Sequence, residues 1–343
     1  MKKTAAGIFL LIIMCVMTVS GLKVHASTSS TWIVDAQGDG DFSSIQAALN
    51  HVNSGDTVYV KSGIYFEHIT ISKTVSLIGE NRETTTIDAE GKDPGSIIVV
   101  AASNVKIAGF TIQNSREGGN AIWIDGFNQS TVSDNVVATK NGDGIRVLRS
   151  FGNVISDNLV TNNSYTSVGF DWTFDNSFFN NTITNNRIGI GASYDAYRNV
   201  FHNNTIVGNN HGILVAMHDS KFFHNIIANN TVQAFVYFNL TNKWDNGYPS
   251  GGNYWSDYDK TGLMDEDIGE RPYVINDYNK DDYPILNIAY LERVVSSTSS
   301  SDINYSIWVP MLAIVIGAIL VICGYIWLRK RDYWKKGSVK SVT

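Results

Sequence analysis

The sequence contains almost no cysteine. Its 343 residues include only Cys15 and Cys323, and each lies in an apolar run near one end of the chain. The roughly 280 residues between these runs carry no thiol, which excludes a disulfide-stapled small scaffold, a thiol nucleophile and a zinc–thiolate site. A segment of this length must instead be stabilised by a large core or by a repeat.

Positive charge is also scarce outside the ends of the chain. The formal net charge is −6, but residues 1–26 contribute +3 and residues 329–343 contribute +5, so the remainder carries −14. An acidic surface of this kind repels nucleic acid and other polyanions and attracts cations. We therefore expect no nucleic-acid partner, and the acidity alone indicates no particular ligand.

The N-terminal residues 1–26 have the pattern of a secretory signal peptide. Lys2 and Lys3 precede an apolar run of about a dozen residues, and a small-residue cleavage site ends at Ala26. The alternative, an N-terminal membrane anchor, requires a longer apolar run. The sequence predicts cleavage after Ala26 and export of the rest of the chain.

The C-terminal residues predict a membrane anchor. Residues 307–328 are almost wholly apolar and long enough to cross a bilayer as a helix. The basic residues of 329–343 favour a cytoplasmic tail, and they disfavour the alternative of a removable GPI-type signal. We predict a single-pass type I membrane protein whose residues 27–290 stand outside the cell, on a Ser/Thr-rich stalk over 291–306.

An asparagine-containing repeat occupies the middle of the chain. Segments of the pattern x-Asn-x-(Ile/Val)-x-x-Asn recur, and their first Asn residues are separated by 23, 23, 23 and 21 positions. A fixed period in the low twenties is typical of a solenoid. The first Asn residues are Asn135, Asn158, Asn181, Asn204 and Asn225, and the second are Asn163, Asn186, Asn209 and Asn230.

Each repeat unit also contains short strands with alternating apolar residues, such as Ile145 with Val147 and Ile213 with Val215. No regular leucine framework and no apolar spacing of three and four is present, which disfavours leucine-rich and helical repeats. The sequence predicts an all-β fold, a right-handed parallel β-helix with regular coils over about 97–241. Equivalent Asn residues of stacked coils then lie about 4.8 Å apart, and their amides can form a ladder.

The two ends of the predicted β-helix differ from its coils. An amphipathic helix is predicted over about 43–53, with Ile45 and Leu49 on its apolar face and its N-cap near Ser43. We expect this capping helix to cover the open edge of the first coil, which would otherwise invite aggregation. Residues 244–286, rich in aromatic residues, Asp, Asn and Gly, are predicted to form the C-terminal cap.

Two parts of the sequence resemble a known family. Residues 32–80 resemble the opening of NosD-like and pectin-lyase-like β-helix proteins, with the sequence WIVDAQGDGDFSSIQAALNHVNSGDTVYVKSGIYFEHITISKTVSLIGE. The segments GGNYWSDY and RPYVINDYNKDDYPI resemble the closing motif of archaeal NosD-like surface proteins. The resemblance implies the fold but several chemistries, because the family includes carbohydrate-binding and sugar-hydrolysing repeats, surface-layer-associated proteins and a copper-maturation accessory protein.

One hypothesis for function is a polysaccharide hydrolase or lyase, because β-helix hydrolases carry carboxylates on the outer face of neighbouring coils. Asp125 and Asp171 occupy equivalent positions two coils apart, a separation of about 9.6 Å that approaches the upper end for inverting glycosidases. Arg146, from the coil between them, is a candidate partner for an acidic sugar. The alternative is that these are ordinary solvated Asp residues, like those expected on nearby turns, namely Asp143, Asp175, Asp195 and Asp219.

A second hypothesis is metal binding. His218 and His224 lie in neighbouring coils with His202 and His211, and Met217 precedes His218, so imidazole and thioether ligands for copper are present. The acidic segment that contains Asp265 and Asp267 supplies oxygen ligands that suit Ca²⁺. Family members often carry an Asp-x-Asp-Gly-Asp-Gly run at this place, and this sequence lacks it, so a charged loop is the alternative.

The leading hypothesis is non-catalytic binding of a polysaccharide or of a cell-envelope glycan or protein. Flat aromatic rings on the outer face of coils stack on sugar rings. The candidate rings are those of Trp123, Trp172, Tyr194 and Tyr197. The glycosylation acceptors expected on an extracellular chain are Asn128, Asn239 and Asn304.

Overall fold

The computed structural model describes residues 29–91, 95–260, 267–291 and 293. These residues form a parallel β-solenoid of the right-handed type, in which three short strands per coil alternate with turns. The all-β, parallel architecture predicted from the repeat is therefore confirmed. The signal peptide, the stalk, the membrane anchor and the cytoplasmic tail that the sequence predicts lie outside the described residues.

The helix, α1, spans Ile45–His51. The strands, in chain order, are β1 (Thr31–Val34), β2 (Thr57–Val60), β3 (Gly63–Tyr65), β4 (Ile69–Ile71), β5 (Ser76–Gly79), β6 (Thr85–Asp88), β7 (Ile98–Val100), β8 (Lys106–Ala108), β9 (Thr111–Gln113), β10 (Asn120–Asp125), β11 (Thr131–Ser133), β12 (Val136–Ala138), β13 (Asp143–Leu148), β14 (Val154–Ser156), β15 (Leu159–Thr161), β16 (Thr166–Asp171), β17 (Ser177–Phe179), β18 (Thr182–Thr184), β19 (Ile188–Tyr197), β20 (Val200–His202), β21 (Thr205–Val207), β22 (His211–His218), β23 (Lys221–Phe223), β24 (Ile226–Ala228), β25 (Val232–Val236), β26 (Tyr254–Trp255), β27 (Tyr273–Asn276) and β28 (Asn279–Asp281).

Stacking of the coils produces three long parallel sheets. Sheet 1 has the order β1-β2-β5-β8-β11-β14-β17-β20-β23, and sheet 2 has the order β4-β7-β10-β13-β16-β19-β22-β25. Sheet 3 has the order β3-β6-β9-β12-β15-β18-β21-β24-β26, and β27 and β28 form a separate antiparallel hairpin. Each strand therefore pairs with the equivalent strand of the next coil, not with its neighbour in sequence.

The core is a set of columns of apolar side chains that run along the solenoid axis. In sheet 2 the in-register residues Ile122, Ile145, Val168, Ile190 and Ile213 are all completely buried. This is the inward half of the alternation seen in the sequence, because side chains of a strand point to opposite faces in turn. In sheet 1 the inward column becomes aromatic toward the C-terminal end, where Phe201, Phe222 and Trp244 stack with centroids 4.6 and 4.4 Å apart.

The asparagine residues of the repeat form the predicted ladders inside the turns. The backbone N–H and the Nδ2 of Asn158 both donate to Oδ1 of Asn181, each at 3.0 Å, and Nδ2 also donates to the carbonyls of Val132 and Ser156. Burying so many amides is tolerated because each one finds partners in the next coil. The first ladder runs through Asn135, Asn158, Asn181, Asn204, Asn225 and Asn253, and the second through Asn163, Asn186, Asn209 and Asn230.

A third ladder was not predicted. Asn153 donates to Asn176 and Asn176 donates to Asn199, through both the backbone N–H and the side-chain amide. The line continues at Ser220, whose hydroxyl accepts from the backbone N–H of Asn199 and whose own backbone N–H donates to Oδ1 of Asn242. Serine replaces asparagine at some of its positions, so the pattern in the sequence is weaker. In the middle of the solenoid, each of the three turns of a coil therefore contributes a side chain to one hydrogen-bonded ladder.

Helix α1 lies within the range predicted for it, and Ile45, Ala48 and Leu49 form its buried face. Its N-cap is Ser44, one residue after the predicted position, and Ser44 accepts a hydrogen bond from the backbone N–H of Ala47 at 3.3 Å. The Glu67 carboxylate accepts hydrogen bonds from the first N–H groups of the helix, where negative charge is favourable. No helix in the part of the chain that the structure describes is long and apolar enough to cross a membrane.

Candidate functional site

The outer face of sheet 2 combines charged side chains with glycine. Trp123, Arg146 and Gly169 are in-register neighbours on β10, β13 and β16, and Gly191 follows on β19. These positions alternate with the buried core residues, so they lie on the outside of the solenoid. Because two glycines follow Arg146 in this row, its long side chain can lie along the sheet. The ideal Cβ position at Gly169 is only 2.9 Å from Cδ of Arg146.

Arg146 lies between two carboxylates. Its Nη2 donates to Oδ2 of Asp171, and its Nη1 donates to Oδ2 of Asp143 at 3.3 Å. Asp171 also accepts hydrogen bonds from the backbone N–H of Ser193 at 2.7 Å and from its hydroxyl at 2.5 Å. Asp143 in turn accepts from the backbone N–H of Thr166 at 2.7 Å. The three adjacent strands β13, β16 and β19 thus build one connected polar cluster.

The two carboxylates of this cluster are unequal. Only 3% of the Asp171 side chain is exposed, against 20% for Asp143 and 26% for Arg146. Burial raises the pKa of Asp143, and the nearby charge of Asp171 adds to this rise, while the Thr166 N–H and Arg146 oppose it. With two acids and one base, the cluster carries a net negative charge whenever both carboxylates are ionised.

The candidate catalytic residues of the sequence analysis are divided between two ion pairs. Asp125 and Asp171 do flank Leu148 in register, as predicted. Asp125, however, is held by Arg149, whose Nε donates to Oδ1 at 2.8 Å and whose Nη2 donates to Oδ2. Asp171 and Arg146 therefore come together without Asp125. The second carboxylate of the cluster is Asp143, which the sequence analysis had assigned to a turn and which is the first residue of β13.

A bulge in β19 opens a pocket beside the cluster. Ala192 pairs with Val215 and Ala196 pairs with Met217, so β19 has two extra residues between these pairs. Bulges re-aim side chains and are common next to functional sites. Here the bulge borders a pocket of about 370 Å³ that is lined by Ala192, Ser193, Asp195, Ala216, Tyr237, Phe238 and Leu240. Ser193 belongs both to this pocket and to the Arg146 cluster.

The exposed rings of this region come from the end of sheet 2. Phe238 is 77% exposed and Tyr237 is 43% exposed, just after β25. Neither residue was predicted as part of a site, because both lie after β25, the last strand of sheet 2. The sequence does contain one sign of the bulge. The repeat shortens from 23 to 21 residues between Asn204 and Asn225, so the coil of β22 is two residues shorter than the coil of β19. We call the Arg146 cluster, Asp195, Tyr237 and Phe238 together the sheet-2 site.

The four predicted sugar-stacking residues differ in their accessibility. Trp172 is 46% exposed and directly follows Asp171, whereas Trp123 is half-buried. Both faces of the Tyr197 ring are covered, because Phe174 and His218 stack on it at centroid distances of 5.3 and 5.5 Å. That ring has no free face for a sugar. Tyr194 lies in β19, and its side chain is outside the described part of the structure.

The histidines proposed as copper ligands lie at separate places in the structure. His218 Nδ1 is 2.9 Å from Oδ2 of Asp219, whereas His224 Nε2 is 2.8 Å from the carbonyl of Ser250. Burial lowers the pKa of His224, so the neutral ring is favoured. Within the described residues no group of three or more His, Cys, Asp or Glu side chains is arranged to hold a metal ion. Asp267 lies within the described residues and Asp265 lies outside them.

The predicted glycosylation acceptors also differ in exposure. Asn239 is exposed in the turn that follows β25, next to the pocket residues Phe238 and Leu240. Asn128 is half-buried, and its Oδ1 accepts a hydrogen bond from the backbone N–H of Phe151 at 2.9 Å. Asn304 is outside the described residues. Asn239 is therefore the more accessible of the two acceptors that can be compared.

Three parallel sheets, asparagine-lined turns and a polar outer face define a parallel β-helix of the pectin-lyase type. A family model described as "Periplasmic copper-binding protein (NosD)" matches residues 49–260, which is more than half of the chain. The protein belongs to the NosD family. No curated protein matches the chain.

Solved β-helix structures are also similar to this chain, at low sequence identity. A pectin methylesterase from carrot has 13% identity and a TM-score of 0.43, with 67% of this chain and 82% of that chain covered. The pectate lyase Pel9A has 13% identity and a TM-score of 0.45, with 67% of this chain and 68% of that one covered. A pectin methylesterase from Aspergillus niger has 13% identity and a TM-score of 0.43, with coverage of 71% and 93%.

Proposed function

We propose that this NosD-family protein binds a neutral glycan at the sheet-2 site, and that it does so as a non-catalytic protein of the cell surface. The observation that carries the proposal is the pocket that the β19 bulge opens between the exposed rings of Tyr237 and Phe238 and the Arg146 cluster. The secretory signal and the membrane anchor predicted from the sequence support the location. A glycan or glycoprotein of the cell envelope is the partner that this location makes available.

The aromatic part of the site suits a sugar ring. An exposed phenylalanine such as Phe238 costs free energy in water, and a partner that covers it recovers about 25 cal/mol for each Å² of apolar surface. Sugars present flat C–H faces to such rings, while their hydroxyl groups need hydrogen-bond partners at the rim. Asp195 and Ser193, which also line the pocket, supply such partners.

The charge of the site favours a neutral glycan over an acidic one. Arg146 is already shared between Asp143 and Asp171, so it does not offer a free positive charge to a ligand. Asp195 adds a further carboxylate at the pocket. A uronate or sulfate group would therefore meet like charge in this place.

Binding of oligosaccharides to the purified full chain tests the proposal. Calorimetric titration with neutral and acidic oligosaccharides should give saturable binding for a neutral series, and Phe238→Ala and Tyr237→Ala should each weaken it about tenfold. Tyr248→Ala is the matched control, because Tyr248 is equally aromatic, 75% exposed and absent from the pocket lining. If no neutral oligosaccharide binds, or if Tyr248→Ala is as harmful as the pocket variants, the proposal is wrong.

A glycoside hydrolase is the second candidate function. The observation that favours it is the pair of carboxyl groups, Asp143 and Asp171, on either side of Arg146, together with the burial that raises the pKa of Asp143, since glycoside hydrolases use two carboxyl groups in different environments. Asp143→Asn should then abolish hydrolysis of a polysaccharide while binding is retained. Release of reducing ends that is unchanged in Asp143→Asn would exclude this role for the cluster.

Metal binding is a third candidate, supported by the copper-binding description of the family. The predicted copper ligands are His218 and His224, and the predicted calcium ligands are Asp265 and Asp267. Titration of the full chain with Cu²⁺ and Ca²⁺, followed by calorimetry, measures the stoichiometry directly. One copper ion per chain that is lost in His218→Ala would support the copper role, and its absence would leave the glycan proposal in place.

We also propose that helix α1 caps the N-terminal end of the solenoid. The support is a pair of hydrogen bonds on β4, the edge strand of sheet 2. The backbone N–H of Thr70 donates to Oε1 of Gln46 at 2.7 Å, and Nε2 of Gln46 donates to the Thr70 carbonyl at 3.3 Å. One side chain thus occupies both groups that another strand would otherwise pair with.

A further inference from the structure

A second and larger cavity lies where the last coil meets the β27–β28 hairpin. Its volume is about 780 Å³, and its lining includes Lys221, Lys243, Lys280 and Tyr278. None of its lining residues belongs to the pocket of the sheet-2 site. The hairpin is not part of the repeating coil, so stacking of the coils does not account for lysines that gather at this place.

Two of these lysines repel each other. Lys221 and Lys243 are partners in a parallel β-bridge between adjacent coils. Bridge partners of stacked strands lie about 4.8 Å apart at the backbone, and like charges in such positions are destabilising. Burial lowers the pKa of Lys221, and the charge of Lys243 lowers it further. The fold therefore maintains a like-charge pair at some cost to its own stability.

No carboxylate of the described residues lies within ion-pair distance of Lys221 or Lys243. Asp219 is engaged by His218 at 2.9 Å, and Asp282 by Lys280 at 2.8 Å. Asp245 is buried, accepts a hydrogen bond from the backbone N–H of Gly247 at 2.8 Å, and favours the charged form of Lys221. Asp245 therefore acts on Lys221 through its charge and not through a direct ion pair.

The contacts of the Lys221 and Lys243 ammonium groups also show that neither group has a carboxylate partner in the described part of the chain. Lys221 Nζ donates to Oδ1 of the neutral Asn246 at 2.5 Å and lies 4.6 Å from the centre of the Phe223 ring. In residues 29–91, 95–260 and 267–291, no side chain forms an ion pair with Lys243, which is exposed at the cavity. An anion placed between Lys221 and Lys243 would relieve their repulsion and supply the missing partner.

We propose that this cavity binds a small sugar acid, with its carboxylate held by Lys221 and Lys243. The volume is in the range of pockets that enclose small molecules. Thr241 and Tyr278 supply hydroxyl groups for the hydroxyls of a sugar. The acidic remainder of the chain repels an extended polyanion, so the site selects a monosaccharide or the acidic end of a chain.

Titration of the full chain with four small ligands tests the proposal. Galacturonate carries both the carboxylate and the sugar hydroxyls, galactose lacks the carboxylate, and acetate and inorganic phosphate lack the sugar. At low ionic strength we expect galacturonate to bind at least tenfold more tightly than each of the other three, with one site per chain. Binding should weaken as salt is added, because screening reduces the attraction of the two lysines.

Variants locate the site. Lys243→Gln should weaken galacturonate binding at least tenfold, whereas Lys106→Gln, an exposed lysine on β8 of the same sheet, should leave it unchanged. Without ligand, Lys243→Gln should raise the midpoint of thermal unfolding at low salt, since it removes the repulsion of Lys221. A lysine with a merely structural role would lower that midpoint when it is replaced.

Several outcomes would overturn the proposal. They are equal binding of galactose, equal binding of phosphate or acetate, absence of galacturonate binding, and a Lys243→Gln variant with unchanged affinity. Phe238→Ala, which affects the sheet-2 site, should not change galacturonate binding. Phe238→Ala therefore tests neutral-glycan binding at the sheet-2 site, and Lys243→Gln tests galacturonate binding at the cavity. One proposal can be contradicted while the other is supported.

Discussion

Asp281 accepts a 2.7 Å hydrogen bond from the backbone N–H of Asn253, and this contact ends the ladder that begins at Asn135. The same carboxylate accepts from the indole N–H of Trp255 at 2.9 Å and from the backbone N–H of Tyr283 at 3.1 Å. Each side-chain amide of the ladder donates to the side-chain oxygen of the next member toward the C-terminal end, and Asp281 is the last acceptor of this line.

The first prediction is a pH-dependent stability that arises from Asp281. Burial raises its pKa from 3.8 to about 7, although the N–H donors around it oppose the rise. Since the folded pKa lies above the unfolded value, the folded state retains the proton between pH 4 and 7. The stability from this group is complete below about pH 4 and declines by up to about 4 kcal/mol as the pH rises through 7.

Replacement of Asp281 by Asn removes this titration. The free energy of unfolding of wild type, measured with denaturant, should fall relative to that of Asp281→Asn between pH 4.5 and 7.5. The control is Asp282→Asn, which changes an exposed neighbour. Parallel pH profiles for wild type and Asp281→Asn would show that Asp281 titrates normally.

The second prediction concerns the ladders. Asn181→Ala removes an amide that donates to Asn204 and to two backbone carbonyls, and it leaves the N–H of Asn158 without an acceptor. Each buried group without a partner costs about 1–3 kcal/mol, so we expect a loss of about 4 kcal/mol. Denaturant unfolding measures it. Thr182→Ala is the exposed control on the next residue, and an equal loss in that variant would contradict the role of the ladder.

The third prediction compares the two Arg–Asp pairs on sheet 2. Arg146→Ala leaves Asp171 buried and close to Asp143 without the cation between them, which should cost about 3 kcal/mol at pH 7. Part of this loss should be recovered at acidic pH, where the carboxyl groups are protonated. Arg149→Ala breaks the more exposed pair with Asp125 and should cost less than about 1 kcal/mol. Equal losses in the two variants, measured by denaturant unfolding, would show that burial does not distinguish the pairs.

The fourth prediction concerns the edge strand β4. Gln46→Ala frees both backbone groups of Thr70 for pairing with another chain. We expect a modest loss of stability together with concentration-dependent association, detected by light scattering. Ala47→Ser, a change at an exposed position of the same helix, is the control. A monodisperse Gln46→Ala protein would argue against a capping role for α1.

Much of the fold was predictable because the coils repeat. The spacing of Asn135, Asn158 and Asn181 identifies the solenoid, and the alternation of Ile145 with Val147 assigns the inward face. The register that places Asp125 and Asp171 on either side of Leu148 followed from the same spacing. These features are local and periodic, so each repeat strengthens the inference from the others.

The sheet-2 site was less predictable, because it depends on departures from the repeat. Asp143 could not be assigned to β13 or paired with Arg146 from its position in the sequence, since the side chain of Arg146 reaches acids on two strands. Tyr237 and Phe238 follow β25, the last strand of sheet 2, and so have no equivalent positions in a later strand of that sheet. Only the folded chain brings these residues to one side of the bulge.

The sequence by itself determined the parallel β-helix, its asparagine-lined turns and its apolar core columns, because a period near 23 residues repeats the same local chemistry in every coil. Only the tertiary structure shows that Arg146 pairs with Asp171 and Arg149 with Asp125. It also shows where the β19 bulge borders a pocket and that Lys221 and Lys243 are bridge partners in the cavity near the hairpin. Those relationships join residues from different coils through side-chain conformation and strand irregularity. Neither of these is encoded in a repeating pattern.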